Sequence, residues 1–247
     1  MSAAVIASRS KMPYVVLAGI ALAIAGGLYA SGLAAEILGY KKDIVYLTKQ
    51  HLVLVAVSGS AAIISGVGIG IWLSRPWMAR WAEGAIQAVN LVTSIPTLGK
   101  LALMMSLLGI GALPAIVGLW VATLLPIIRN TYEGIRAVRP HLVDAARGMG
   151  MGPSAILARV ELPNALFVIF AGVRTAMAVN VGTAPIAFLI GGGGLGELIF
   201  TGIDLQQHAM MLAGAIPTAL LAVAVDFLFG QAQYWLVPRG VNPLRNS

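Results

Sequence analysis

The chain has 247 residues, of which 59% are hydrophobic and only 10% charged, with a mean hydropathy of +0.89. Soluble domains carry about 25% charged residues, so the polar surface is too small to wrap a globule in water, which excludes a soluble enzyme and a disordered chain alike. Zero cysteines exclude a disulfide framework, a thiolate metal site and a cysteine nucleophile, and the class left is an all-α integral membrane protein.

Charges fence the spans, because one at the bilayer centre costs about 2.5–3.5 kcal/mol on insertion scales. The runs between them predict six transmembrane helices, over about 13–34, 52–73, 85–108, 113–132, 163–190 and 208–236. The uncharged run Met12–Ala35 is longer than the apolar core of a signal peptide, so it reads as an uncleaved span. Spans three and four divide at Gly109-Ile110-Gly111-Ala112-Leu113-Pro114, a Gly/Pro turn signal. Between spans five and six, Gly191-Gly192-Gly193-Gly194-Leu195-Gly196 matches the dinucleotide pattern literally. It follows a membrane span rather than a strand, so a flexible outer turn is expected instead.

Lysine and arginine set the orientation. With both termini cytoplasmic, the inner side holds Arg9, Lys11, Arg75, Arg80, Arg129, Arg136, Arg139, Arg147, Arg159, Arg239 and Arg245, against Lys41, Lys42 and Lys49 outside. That is a positive-inside bias, so the net charge of +7 reports topology and contact with anionic lipid, with no nucleic-acid partner. No segment outside the membrane is long enough to fold alone, and residues 1–247 form a single transmembrane domain. His51, His141 and His208 are far apart, show no metal spacing and are expected to be solvated near interfaces or in the inner loop. Gly99-Lys100 lacks the rest of a phosphate-binding loop, and no Ser/His/Asp set suggests hydrolysis, so no catalytic residue and no metal site is expected.

Several intramembrane residues stand out. Arg174 and Asp226 each lie about 16 Å from the cytoplasmic end of their helix at 1.5 Å per residue. Equal depth points to an ion pair tying spans five and six, with a role in the pathway as the other reading. Asn180 and Thr183 add polarity to the fifth span and are candidates for the translocation path, with ordinary helix packing as an equal alternative. Pro96, Pro126, Pro185 and Pro217 can kink or break their helices. Gly19/Ala23/Gly27 and Gly66/Gly70 permit close helix approach.

The stretch from Arg139 to Pro163 is the informative loop. Pro140 suits a first helical turn, Gly148 and Gly150 stop that helix, and Pro153 starts a second short one expected to end at Ala158 or Arg159. Such short helices persist only when docked, and the bent pair reads as a mechanical coupling element.

Asp144-Ala145-Ala146, three residues, Gly150, nine residues, then Val160-Glu161-Leu162-Pro163 resembles the E-A-A-x(3)-G-x(9)-I-x-L-P loop of binding-protein-dependent ABC importers, with Asp144 for Glu and Val160 for Ile. Over roughly residues 50–240, stretches such as IPTLGKLALMMSLLGIGALPAIVGLW and GVRTAMAVNVGTAPIAFLIGGGGLGELIFTGI are similar to the glycine betaine/carnitine/choline branch of those permeases, Lys100 departing from an apolar position. The resemblance implies a MetI-like core whose two-helix cytoplasmic loop, 139–163, contacts an ATPase through Asp144, Ala145, Ala146, Gly150, Val160, Leu162 and Pro163. It further implies a cytoplasmic ABC ATPase dimer that holds ATP and Mg, a second permease subunit in a homo- or heterodimer, and an extracytoplasmic substrate-binding protein. The chain itself would bind no cofactor and would reside in a bacterial cytoplasmic (inner) membrane. The alternatives are the same machine carrying methionine or another amino acid derivative, and a self-sufficient secondary transporter or channel.

Overall fold

Polar and glycine punctuation divides the apolar chain into ten helices among the described residues. The computed structural model describes residues 29–242 together with Gly19, Gly26, Gly27 and Arg245. They are α1 (Leu33–Gly39), α2 (Lys41–Leu73), α3 (Ala79–Ser94), α4 (Thr97–Leu108), α5 (Ala112–Arg136), α6 (Pro140–Gly148), α7 (Pro153–Ile156), α8 (Leu162–Thr183), α9 (Gly196–Asp204) and α10 (His208–Leu236). Most of the predicted first span, 13–34, lies outside the described residues.

Four stretches are long and apolar enough to cross a membrane: α2, α5, the run Pro153–Ile190, and α10. A fifth exists if Pro76–Ser94 and Thr97–Leu108 count as one span, bent by 91°. The single helix predicted over 85–108 is therefore two, broken at Pro96, one of the prolines expected to kink or break its helix. Ile95 is extended (φ −59°, ψ 132°), as a residue before proline prefers to be, and Pro96 has no N–H to continue the ladder. The second span also begins earlier than expected, since α2 takes in Lys41, Lys42, Asp43 and Lys49. The last matches its predicted limits.

At the centre of the bundle is α5, which packs against α2, α8, α4 and α3. Its inward side chains Leu119, Ile127 and Ile128 are fully buried. Glycines let the neighbours close on it. A Cβ at Gly66 would lie 2.8 Å from Ile127 Cγ2, and one at Gly70 would lie 2.5 Å from Thr131 Cβ. On the other side, a Cβ at Gly172 of α8 would come 2.7 Å from the Pro126 carbonyl. Close approach of this kind is how membrane helices gain packing energy where lipid is as apolar as the side chains. An added Cβ at Gly19 or Gly27, the ends of the other small-residue stripe, meets no atom of the described residues within 4 Å.

The Gly191–Gly196 turn is packed, which corrects the expectation of a flexible one. Gly191, Gly193 and Gly194 have positive φ. Gly194 donates its N–H to Gln50 Oε1 at 3.1 Å and rests on His51, and a side chain at Gly196 would overlap the Pro185 carbonyl. His51 is fully buried under this turn, not solvated at an interface. After the turn comes α9, a helix the sequence reading did not anticipate, folded back on α10.

Candidate functional site

The loop after α5 is built by two proline starts and one glycine stop. Pro140 opens α6, and the helix closes with Gly150 in the left-handed region (φ +78°). Gly150 N–H donates to Arg147 O at 2.9 Å and Met151 N–H to Ala146 O at 3.1 Å, the paired bonds of a Schellman end. A non-glycine residue in that conformation costs about 1–2 kcal/mol. The bend is thus fixed by backbone geometry at one residue.

The second short helix does not stop where the sequence reading placed its end. From Pro153 it runs through α7 and a π-helical segment, Leu157–Glu161, directly into α8. The side-chain amide of Asn164 donates to Val160 O at 2.7 Å, satisfying a carbonyl where the helical register changes. Pro163 therefore lies inside a continuous helix rather than opening a separate one.

The predicted coupling residues divide by exposure. Asp144, Ala145 and Gly150 lie on the exposed edge of α6, beside Arg147 and Met149, and Arg147 Nη1 is 3.4 Å from Asp144 Oδ1. Ala146 is 1% exposed and faces inward, so it is not at an outer contact surface; its small size lets α6 lie flat on the body. Val160, Leu162 and Pro163 are half-buried at the base of α8.

One contact at this elbow had no sequence signal. Arg75, just past the end of α2, donates from Nη2 to Glu161 Oε2 at 2.8 Å, with its Nε held by Ile71 O at 3.2 Å. The two side chains are only 13% and 17% exposed. This pair fastens the C-terminal end of α2 to the π segment, beside a groove of about 710 Å³ walled by Trp77, Met151, Pro153 and Leu157. Removing one partner of a pair this sheltered costs on the order of 3 kcal/mol.

Deeper in the bundle, Arg174 of α8 meets Asp226 of α10 in a bidentate pair, Nε to Oδ1 and Nη2 to Oδ2, each at 2.5 Å. Their side chains remain 41% and 39% exposed. They open into a groove of about 600 Å³ that also takes in Thr175 and Gln233. Asn180 is elsewhere. It is fully buried, donating to Ser58 Oγ at 2.9 Å and to Val55 O at 3.4 Å, so it ties α8 to α2 and does not line an open path. Thr183 is half-buried, and its hydroxyl donates to Val179 O at 2.8 Å. Lys100 is 6% exposed and donates from Nζ to Thr93 O at 3.0 Å, across the break between α3 and α4.

The protein is thus a helical body with a fixed elbow carried on α5 and α8. Residues 62–240 match the family of binding-protein-dependent transport system inner membrane components. The chain is a member of that family. This permease is 46% identical to the osmoprotectant import permease protein OsmY of Salmonella typhimurium over 81% of its length and 86% of that protein's. It is 38% identical to the choline transport system permease protein OpuBB of Bacillus subtilis, over 82% and 93%. Among solved structures, an inward-facing MetNI methionine ABC transporter superposes with a TM-score of 0.71, covering 81% of the permease and 96% of that chain. Its identity of 24% carries the fold alone. As an inner membrane transport component, the permease supplies a route through the membrane rather than a catalytic centre.

Proposed function

We propose that the permease forms the route by which a bacterial ABC importer brings in an osmoprotectant such as glycine betaine, choline or carnitine. The observation that carries this reading is the similarity to OsmY and OpuBB over four-fifths of the chain. In this reading six spans cross the inner membrane with both termini cytoplasmic. Residues 13–34 form the first span, and the bent pair α3–α4 forms the third. A second permease subunit, the same chain or a homologue, completes the channel, and an extracytoplasmic binding protein delivers the solute.

The elbow at 139–163 is the part that meets the cytoplasmic ATPase dimer, where ATP and Mg are held. Asp144, Ala145 and Gly150 make the contact, Ala146 seats α6 from behind, and Val160, Leu162 and Pro163 pass the motion into α8. Arg174 and Asp226 tie the fifth and sixth spans so that they tilt together. The solute path runs along the exposed side of α8, with Thr183 near its end.

The test is uptake of radiolabelled glycine betaine, choline and carnitine by cells lacking their own osmoprotectant systems and expressing the complete importer. ATP-dependent entry of at least one is expected, with a loss of at least tenfold in Gly150→Asp together with loss of ATPase co-purification. Uptake that persists without the ATPase would overturn the importer reading. Entry of methionine but none of the three quaternary ammonium solutes would overturn the substrate.

A further inference from the structure

We infer that the groove between α8 and α10 is a water-filled station on the path, where the free edge of Arg174 receives the carboxylate of a zwitterionic solute and Asp226 faces its quaternary ammonium. This rests on the osmoprotectant reading and adds to it a place and a chemistry.

The argument begins with depth. Arg174 lies about 18 Å along α8 from Leu162, and Asp226 about 15 Å from Leu236, at 1.5 Å per residue. Both are therefore near the middle of a hydrocarbon core about 30 Å thick. Yet about two-fifths of each side chain is uncovered. Facing lipid there, the two ions would each carry a desolvation penalty of several kcal/mol.

Hydrogen-bond capacity sharpens the point. The pair uses Arg174 Nε and Nη2. Nη1 has no partner among the described residues, and each carboxylate oxygen of Asp226 accepts only one of these two bonds. A free guanidinium edge is shaped for a carboxylate.

What surrounds that edge keeps it open. Gly230 lies under it, where a Cβ would sit 3.4 Å from Nη1, so a larger side chain there would begin to cover it. The groove of about 600 Å³ is lined by Thr175 and by Phe167, an aromatic residue of the kind that can receive a quaternary ammonium. A solute carrying both charges finds a counterpart for each, while choline, which lacks the carboxylate, finds only one. The ion pair thus acts as a selectivity point as well as a tie between helices.

Two measurements test this. The chain has no cysteine, so Thr175→Cys in the assembled importer reports on the groove alone when treated with a membrane-impermeant trimethylammonium methanethiosulfonate reagent. Labelling at Thr175→Cys, read as a mass shift on the permease, is expected in at least one nucleotide state. None is expected at Leu228→Cys, which is exposed on another side of α10. Absence of labelling at Thr175→Cys in every state would overturn the proposal, as would a Thr175→Cys disulfide between two permease subunits, which would mean that a second copy, not water, covers the face. The second measurement is maximal uptake of glycine betaine against choline. Gly230→Leu, whose Cβ would sit 3.4 Å from Arg174 Nη1 without overlapping the pair, is expected to lower glycine betaine uptake at least fivefold more than choline uptake. An equal fall for both solutes, or none, would overturn the solute contact. If the unaltered importer carries neither solute, the substrate reading fails, and the labelling still decides whether the groove holds water.

Discussion

Two prolines in the permease meet opposite fates. At Pro96 the chain turns through 91°, whereas α5 runs through Pro126 as one helix. The difference is in their surroundings. Pro126 is clamped on both sides, by Gly66 closing on Ile127 and by Gly172 closing on the Pro126 carbonyl, which also accepts a bond from Asn130 Nδ2 at 2.8 Å. Packing there keeps the helix continuous. Pro96 lies at the periphery, with Leu91 75% and Leu98 51% exposed, so nothing resists the bend. The carbonyls freed there find local donors. Ile95 N–H reaches back to Val92 O at 3.4 Å, and Lys100 Nζ reaches Thr93 O at 3.0 Å. A proline breaks a membrane helix where neighbours leave room and polar groups take up the carbonyls.

That contrast can be broken most forcefully from the packed side. Gly70→Leu would put a side chain into Thr131 and the Ile128 carbonyl, and the permease is expected to lose most of its folded yield in membranes, since overpacking costs about 1–3 kcal/mol or more. A normal yield and unchanged thermal unfolding in detergent would show that α2 does not clamp α5. At the broken span, Lys100→Met keeps the volume but leaves the Thr93 carbonyl without its charged donor, and a loss of about 1–3 kcal/mol is expected; an unfolding midpoint within error of the parent would refute the clasp. Smallest of all is Pro96→Ala. The bend should survive, because the donors around it remain, and stability should change by less than about 1 kcal/mol. Spin labels at Gly84→Cys and Leu107→Cys would report the angle, and a straightened α3–α4 would return the cause to the proline alone.

How much of this was legible in the sequence follows from which interactions are local. The elbow was readable because Pro140, Gly150 and Pro153 act through the backbone within a few residues. The depth of Arg174 and Asp226 could be counted along their helices, and the family motif named the loop. Arg75 and Glu161 are far apart in sequence and look like ordinary interfacial charges; only the fold brings them within 2.8 Å. Asn180 read equally as a path residue or a packing one, because its partner, Ser58, is on another helix. The end of the second loop helix was misread because the chain changes register through a π segment instead of stopping, and the Asn164 amide that steadies it reads as a generic polar residue. Nor did the glycine run at 191–196 disclose its tight seat, which depends on Gln50, His51 and Pro185 arriving from elsewhere.

The uninterrupted helical run from Pro153 to Thr183 has a mechanical meaning. At 1.5 Å per residue it is a rod about 45 Å long, rooted at one end in the elbow and bearing Arg174 farther along. Arg75 grips it at Glu161, close to its Pro153 end. If the elbow is driven as proposed, that salt bridge would serve as the fulcrum, and a small swing below it would become a larger sweep above it.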